Sequence, residues 1–337
     1  MSALKKLYYN VVSRLPMSVF DSGGPAGILL PYHHTVSNRQ LEHIHHLYSY
    51  KNEKQFGDDL DFLMKYYKPI SVDDLSAAVM NNTAIPRGSF LLTFDDGFRE
   101  VNEIIAPALG KRGIPAIFFI NSAFIDNRIL FYRCKISILI GELKRNEPAY
   151  AAVYRQLLQM PGATVAQLTA ALKKINQTNA FVLDKIAGNI GYSFENYLAQ
   201  QQPFLTKEEV ISLHNRGFTI GAHSMDHPYY NLLTVAKQVQ QTVDSCNYVR
   251  GLTGTRECHF SFPHSDEPVL QETIDAIHKQ NTGLLFGIQN QKEELHNRML
   301  HRFNAERPET GIEELIKGQV TLNRLQQIAG RNSVKRN

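Results

Sequence analysis

The chain lacks a long basic block, a CxxC pair and an apolar stretch long enough to cross a membrane. Each absence excludes something. A net charge of +4 without clustered Lys and Arg argues against nucleic acid as the partner. Three cysteines, Cys134, Cys246 and Cys258, are too scattered for a disulfide framework and read as reduced, buried, small apolar residues in a cytosolic protein. The apolar residues within 1–20 are too few and too interrupted, by Lys5, Lys6 and Arg14, for a signal peptide or a membrane span. Together with Leu7, Tyr8, Val11, Val12 and Leu15 those basic residues make an amphipathic segment. A helix packed on the domain is favoured for it, with peripheral contact at a membrane surface the other option. A cytoplasmic location is therefore expected, with or without association at a membrane surface. What is present is a globular composition over 337 residues, 43% apolar and 20% charged, enough for one large α/β domain or two ordinary ones.

The chain is organised around Leu91-Leu92-Thr93-Phe94-Asp95-Asp96-Gly97, an apolar run that stops at two adjacent carboxylates and a glycine. Such a run reads as a buried strand, and two acids at its end are costly unless a metal or a proton uses them. Similar runs lie at about 27–30, leading into Pro31-Tyr32-His33-His34, and at 116–120, 218–222, 259–262, 284–286 and 299–303. Helical patterns alternate with them. Phe56, Leu60 and Leu63 form one apolar stripe, Ser71-Val72-Asp73-Asp74 opens a second helix, and Thr206-Lys207-Glu208-Glu209 is a capping box. Further helices are predicted over about 100–111, 234–251, 268–280 and 311–329. The alternation predicts an α/β fold on a parallel sheet, open or closed into a barrel. Polar residues fall at C-terminal strand ends, namely His33, Asp95, Asp96, Asn121, His223 and His264, which is the edge where sites assemble in such folds. His43, His45 and His46 could bind metal as a cluster, but they fit neither period and read rather as a solvated loop.

His223 and His227 form an HxxxH pair directly after a strand and before Pro228, where both imidazoles can reach one point. Two imidazoles and one carboxylate suit Zn²⁺ or a similar divalent ion, and three protein ligands leave positions for water and substrate. The other carboxylate of the Asp95-Asp96 pair is then free to take a proton from that water.

Thr93-Phe94-Asp95-Asp96-Gly97 and His223-Ser224-Met225-Asp226-His227 resemble the first two motifs of the polysaccharide deacetylases, the NodB-homology or carbohydrate esterase family 4 group. The similarity runs from Tyr32-His33 to Arg302-Phe303-Asn304, apart from an insert at about 128–202. It implies a distorted (β/α) barrel with fewer than eight full units. It implies Asp95 as catalytic base, with Asp96, His223 and His227 on a divalent metal, Zn²⁺ being the first choice. The implied reaction is hydrolysis of an N-acyl group, usually acetyl, from an amino sugar, with an oxyanion stabilised by the metal and a backbone N–H. Phe260-Ser261-Phe262-Pro263-His264-Ser265 resembles the third motif with His264 for tyrosine and Ser265 for glycine. Phe260 stands where the family often has an arginine that steadies the base, which leaves Arg256 and Arg302 as candidates for that role at the substrate site. Met299-Leu300-His301 is the nearest echo of the strand ending in the general-acid histidine, so His264 and His301 are rival candidates for the acid. His33 either lines the pocket or is structural.

The expected organisation is an amphipathic segment over 1–26, a barrel over 27–310 carrying a mainly helical insert, and a terminal helix with a disordered basic tail over 311–337. The insert could form a lid, an oligomer surface or plain packing. The expected activity is metal-dependent removal of an N-acyl group from an amino sugar in a polysaccharide or glycan precursor. Deformylation, a non-sugar amide, or glycan binding without catalysis are the alternatives.

Overall fold

The computed structural model describes residues 8, 12, 14–24, 27–280, 282–294 and 298–336. The first strands are β1 (Ile28–Leu29), β2 (Pro31–His33), β3 (Lys68–Pro69), β4 (Ser89–Phe90), β5 (Leu92–Phe94) and β6 (Ala116–Ile120). Then come β7 (Thr219–Ala222), β8 (Cys258–Ser261), β9 (Thr282–Gly287), β10 (Glu293–Glu294), β11 (Met299–His301), β12 (Phe303–Asn304) and β13 (Ser333–Val334). The main sheet has the order β11-β9-β8-β7-β6-β5-β2-β12 and all its pairs are parallel. Its strands are covered on both faces, which is why β6 and β9 are apolar at nearly every position.

Only Arg302 separates β11 from β12, so the two edges of the sheet belong to one segment. The Arg302 N–H bonds Gly287 of β9, and the Phe303 N–H bonds Leu30 next to β2. The segment changes partners at that residue and seals the sheet into the distorted barrel. β1, β4 and β3 form a small parallel extension below it.

Helices cover the barrel where the sequence carries cap signals. Glu53–Tyr66 begins with a capping box between Asn52 and Gln55, and Lys207–Asn215 with one between Thr206 and Glu209. Each N-cap of this kind contributes about 1 kcal/mol. Val235–Thr253 starts at the Thr234 cap and stops at Gly254 in the left-handed conformation. The helix expected over 100–111 is instead a π-helical stretch, Val101–Ile105, joined to Ala106–Gly110. Pro107 has no N–H to give, which interrupts the regular ladder there.

The insert forms helices Tyr132–Arg145, Glu147–Leu157, Val165–Leu172, Phe181–Asn189 and Phe194–Gln201, around an apolar core that includes Leu139, Tyr154, Leu168 and Leu183. That core is continuous with Ile44, Phe98 and Phe204, so the insert is fused to the rim of the barrel. The loop with the three histidines is part of the seam. His43 is buried, bonded through Nδ1 to the Tyr197 hydroxyl at 3.0 Å and packed on Phe98. For His43 the solvated reading is corrected, because two aromatic rings exclude water from it.

Two terminal expectations also meet the structure. Lys5, Lys6, Leu7 and Val11 lie outside the described residues, but Tyr8 donates to the Gly318 carbonyl and Val12 is in the main core. No helix among the described residues is long and apolar enough to cross a membrane. At the other end the disordered tail is corrected. β13 pairs with β10, and the side chain of Arg336 is buried, donating to Asp266 and Glu294 at 2.8 Å. Two buried carboxylates hold the tail because they need a cation.

Candidate active site

Strand alternation decides which residues enter the barrel. In β2, Tyr32 faces inward, its ring 5.0 Å from the Arg302 guanidinium. His33 turns outward and stacks on Phe94 and against Phe56 of the covering helix. His33 therefore sits in the packing layer and does not line the cleft, whereas His34, one residue on, does. The same alternation sends Thr93 and Asp95 inward and Phe94 out. It then breaks. Asp96 has φ +72° and Gly97 φ +65°, and a Cβ on Gly97 would stand 3.1 Å from the Ile120 side chain. Only glycine adopts that conformation in that space without strain. The sharp turn brings the side chains of two successive acids into one cleft.

Asp96 faces the two imidazoles. Its Oδ1 lies 3.5 Å from His223 Nε2 and 3.2 Å from His227 Nε2. All three residues are buried, at 4%, 2% and 6% exposure. Their ligand atoms fall within 4.8 Å of one another, the one such group found among the described residues. Asp96 Oδ1 is buried with no hydrogen-bond partner. A buried anionic oxygen left without a donor, with two imidazole nitrogens aimed at it, is a donor set that fits a divalent cation. The outer contacts agree with this. His223 Nδ1 bonds the Ser261 carbonyl at 2.8 Å, which leaves Nε2 with its lone pair toward Asp96. Burial pushes the His223 imidazole down to about 4, so it is neutral and ligand-ready. His227 Nδ1 meets His264 Nε2 at 3.2 Å. Ser224, His227 and His264 all have positive φ, and Asn121 braces the turn through the His223 carbonyl. Strained backbone of this kind persists only where the surroundings over-determine it.

Asp95, in the same cavity, is held by a different partner. Arg302 grips it with two parallel bonds of 2.8 Å, Nη1 to Oδ1 and Nη2 to Oδ2. The guanidinium is fully buried and also donates to Thr93 Oγ1 and Ser261 Oγ. Burial opposes ionisation of Asp95, but Arg302 outweighs it and holds the carboxyl below its ordinary value. Of the two arginine candidates, Arg302 reaches Asp95. Arg256 precedes β8, at the opposite end of the strand from the cleft, and lines a separate depression with His214 and His259.

His34 is the residue that the motifs did not single out. Its Nδ1 pairs with Glu306 Oε2 at 2.7 Å, and Glu306 Oε1 accepts the N–H groups of His34 and Thr35. Burial works against the imidazolium, yet the Glu306 pair raises His34 to about 9. The only sequence signal was its place two residues after the inward-facing Tyr32. Of the rival acids, His264 lines the cleft, with its ring stacked 3.6 Å from that of Tyr229. Burial, and then His227, hold His264 well below the ordinary imidazole value, so it is neutral and an acceptor for His227. His301 is placed elsewhere. It alternates with the inward Arg302 and so points out of the barrel, into the buried cluster of Asp266, Glu294 and Arg336.

A parallel barrel whose C-terminal rim joins an arginine-clamped carboxylate to an Asp-His-His donor set defines an α/β-barrel hydrolase with a candidate metal centre. The profile described as polysaccharide deacetylase matches residues 83–282. That is more than half of the chain, and the chain belongs to this family of carbohydrate N-deacetylases. Among solved structures it is similar to the Streptococcus pyogenes deacetylase PplD in complex with acetate, at 14% identity and TM-score 0.56, covering 87% of this chain and 97% of that one. It is also similar to IcaB from Ammonifex degensii, at 14% identity and TM-score 0.54, covering 88% and 98%. The de-N-acetylase from Aggregatibacter actinomycetemcomitans gives 14% and 0.54, covering 86% and 99%. At this identity the likeness is one of fold. No curated protein matches.

Proposed function

We propose that the chain is a metal-dependent N-deacetylase acting on the acetamido group of an amino sugar. In this reading Asp95 is the base, Asp96, His223 and His227 hold a divalent cation with Zn²⁺ the first choice, and His34 is the acid. The observation that carries it is the division of labour between neighbours, with Asp95 occupied by Arg302 and Asp96 open to two imidazole nitrogens. The acetate complex of the S. pyogenes deacetylase supports acetyl as the acyl group.

A bound divalent cation would supply Lewis acidity, polarising a water and the acyl carbonyl. The chain's own residues do the rest. Asp95, kept anionic by Arg302, takes a proton from the attacking water as its oxygen bonds to the carbonyl carbon. When the C–N bond breaks, His34 delivers its proton to the departing nitrogen, and Glu306 stabilises the imidazolium until then. The products are acetate and a free amine. The buried walls, among them Phe98, Phe131 and Phe262, limit water to the reacting face.

Chelation should abolish hydrolysis of an N-acetylhexosamine oligomer, and one equivalent of a divalent ion should restore it. His223→Ala should not be restorable at that ion concentration. Full turnover in ion-free protein, checked by elemental analysis, would remove the metal from the proposal. His34→Gln should lower kcat by about 10²- to 10⁴-fold, the usual contribution of a positioned acid or base. His34 is raised to about 9, so wild-type activity should be present below that pH and fall as pH rises through about 9. An alkaline limb that persists unchanged in His34→Gln would assign the acid to another group.

A further inference from the structure

The cleft contains one charged side chain that the reaction above does not use. Arg133 is the second residue of helix Tyr132–Arg145, the first helix of the insert, and it lines the same cavity as Asp95, Asp96 and His34. The other charges there are accounted for: Arg302 pairs with Asp95, Glu306 pairs with His34, and Asp96 belongs to the Asp-His-His donor set assigned to the cation. Among the described residues no carboxylate makes an ion pair with Arg133, whose polar contact is a long 3.5 Å approach of Nη1 to the Tyr229 hydroxyl.

We infer that Arg133 selects substrates in which the acetylated sugar itself carries an anionic group, a phosphate ester or a carboxylate. This rests on the deacetylase reading and specifies its substrate class. A guanidinium presents a planar fork of donors that matches either oxyanion with two parallel bonds. A second feature points the same way. Tyr48 lines this cavity, and its hydroxyl is buried without a partner. A buried hydroxyl left unpaired costs about 1–3 kcal/mol, a cost that a ligand oxygen removes. The helix start adds to the field, because Phe131 has no side-chain oxygen to cap it and it opens on the cleft. The cavity measures about 190 Å³. That is below the roughly 300–1,000 Å³ of an ordinary ligand pocket, so it suits one sugar residue. The anion that Arg133 meets therefore belongs to the residue being deacetylated or to the linkage at its edge.

The test compares kcat/KM of the metal-loaded enzyme on a neutral N-acetylhexosamine, its 1-phosphate and the corresponding N-acetylhexosaminuronic acid. Wild type should favour one anionic form by about tenfold or more, chiefly through KM, with the advantage shrinking as salt is raised. Which anion wins separates phosphate from carboxylate. Arg133→Ala should bring the anionic-to-neutral ratio to about one, and Arg133→Lys should keep part of it. A ratio near one in wild type, or a preference that survives Arg133→Ala in protein of unchanged melting temperature, overturns the inference. If none of the three sugars and no N-acetylhexosamine oligomer is hydrolysed, the deacetylase reading fails by itself. Calorimetric titration of the 1-phosphate and of the uronic acid into wild type and Arg133→Ala then decides. Tighter binding of either by wild type supports the role of Arg133, and equal affinities for both overturn it.

Discussion

Asp95→Asn is expected to lower kcat by about 10³-fold or more while ion uptake by Asp96, His223 and His227 stays near the wild-type level. An amide has the size of the carboxylate but cannot take a proton from water. It also removes the counter-charge of Arg302, which has no exposure to solvent. Stripping one partner from a buried ion pair typically costs about 3–5 kcal/mol. Thr93, Ser261 and the faces of Tyr32 and Phe119 still hold the guanidinium, so the loss should fall toward the lower end of that range. Turnover and metal content must then be measured well below the variant's melting temperature. Retention of more than about a tenth of wild-type kcat would sink Asp95 as the base, since a positioned base contributes at least about 10².

Arg302→Met should have the second large effect, by the opposite imbalance. It leaves Asp95, 3% exposed, as an anion with its strongest favourable partner gone. The expected destabilisation is again about 3–5 kcal/mol at neutral pH. The sign follows from the native carboxyl lying below its ordinary value. The pair's contribution is complete above the unfolded carboxylate range, about 3.9, and is lost as pH falls through the lower native value. Without Arg302 the carboxyl titrates higher, so the acid limb of the kcat profile should move to higher pH. Arg302→Lys should restore charge without the two-pronged grip and recover only part of both effects. Urea unfolding at two pH values with a pH–rate series checks this, and an acid limb that does not move in Arg302→Met would show that the arginine does not set the state of Asp95.

Much of the site is visible in the sequence because it is local. Asp95 and Asp96 are adjacent at the end of an apolar strand, and His223 and His227 share one turn, so the chemistry can be read within a few residues. The barrel is legible for the same reason, since its main strands and caps such as the Thr206-Glu209 box declare themselves over a short window. What is not legible depends on distant partners. His34 gains its charge from Glu306, 272 residues away, and nothing in either neighbourhood announces the other. Choosing Arg302 over Arg256 needs the knowledge of which end of each strand faces the rim. His301 echoes a motif but is turned outward by the alternation that turns Arg302 in. His34, Arg302 and Glu306 also lie outside the 83–282 span that the family profile matches.

The segment that seals the ring also supplies the guanidinium that holds Asp95. Phe303 pairs with Pro31 in register, which unites two stretches of polypeptide far apart along the chain. Were β12 not seated on β2, Arg302 would not be placed against Asp95, and that buried carboxylate would lack its cation. In the proposed mechanism, hydrolytic competence therefore requires the two distant ends of the sheet to be joined.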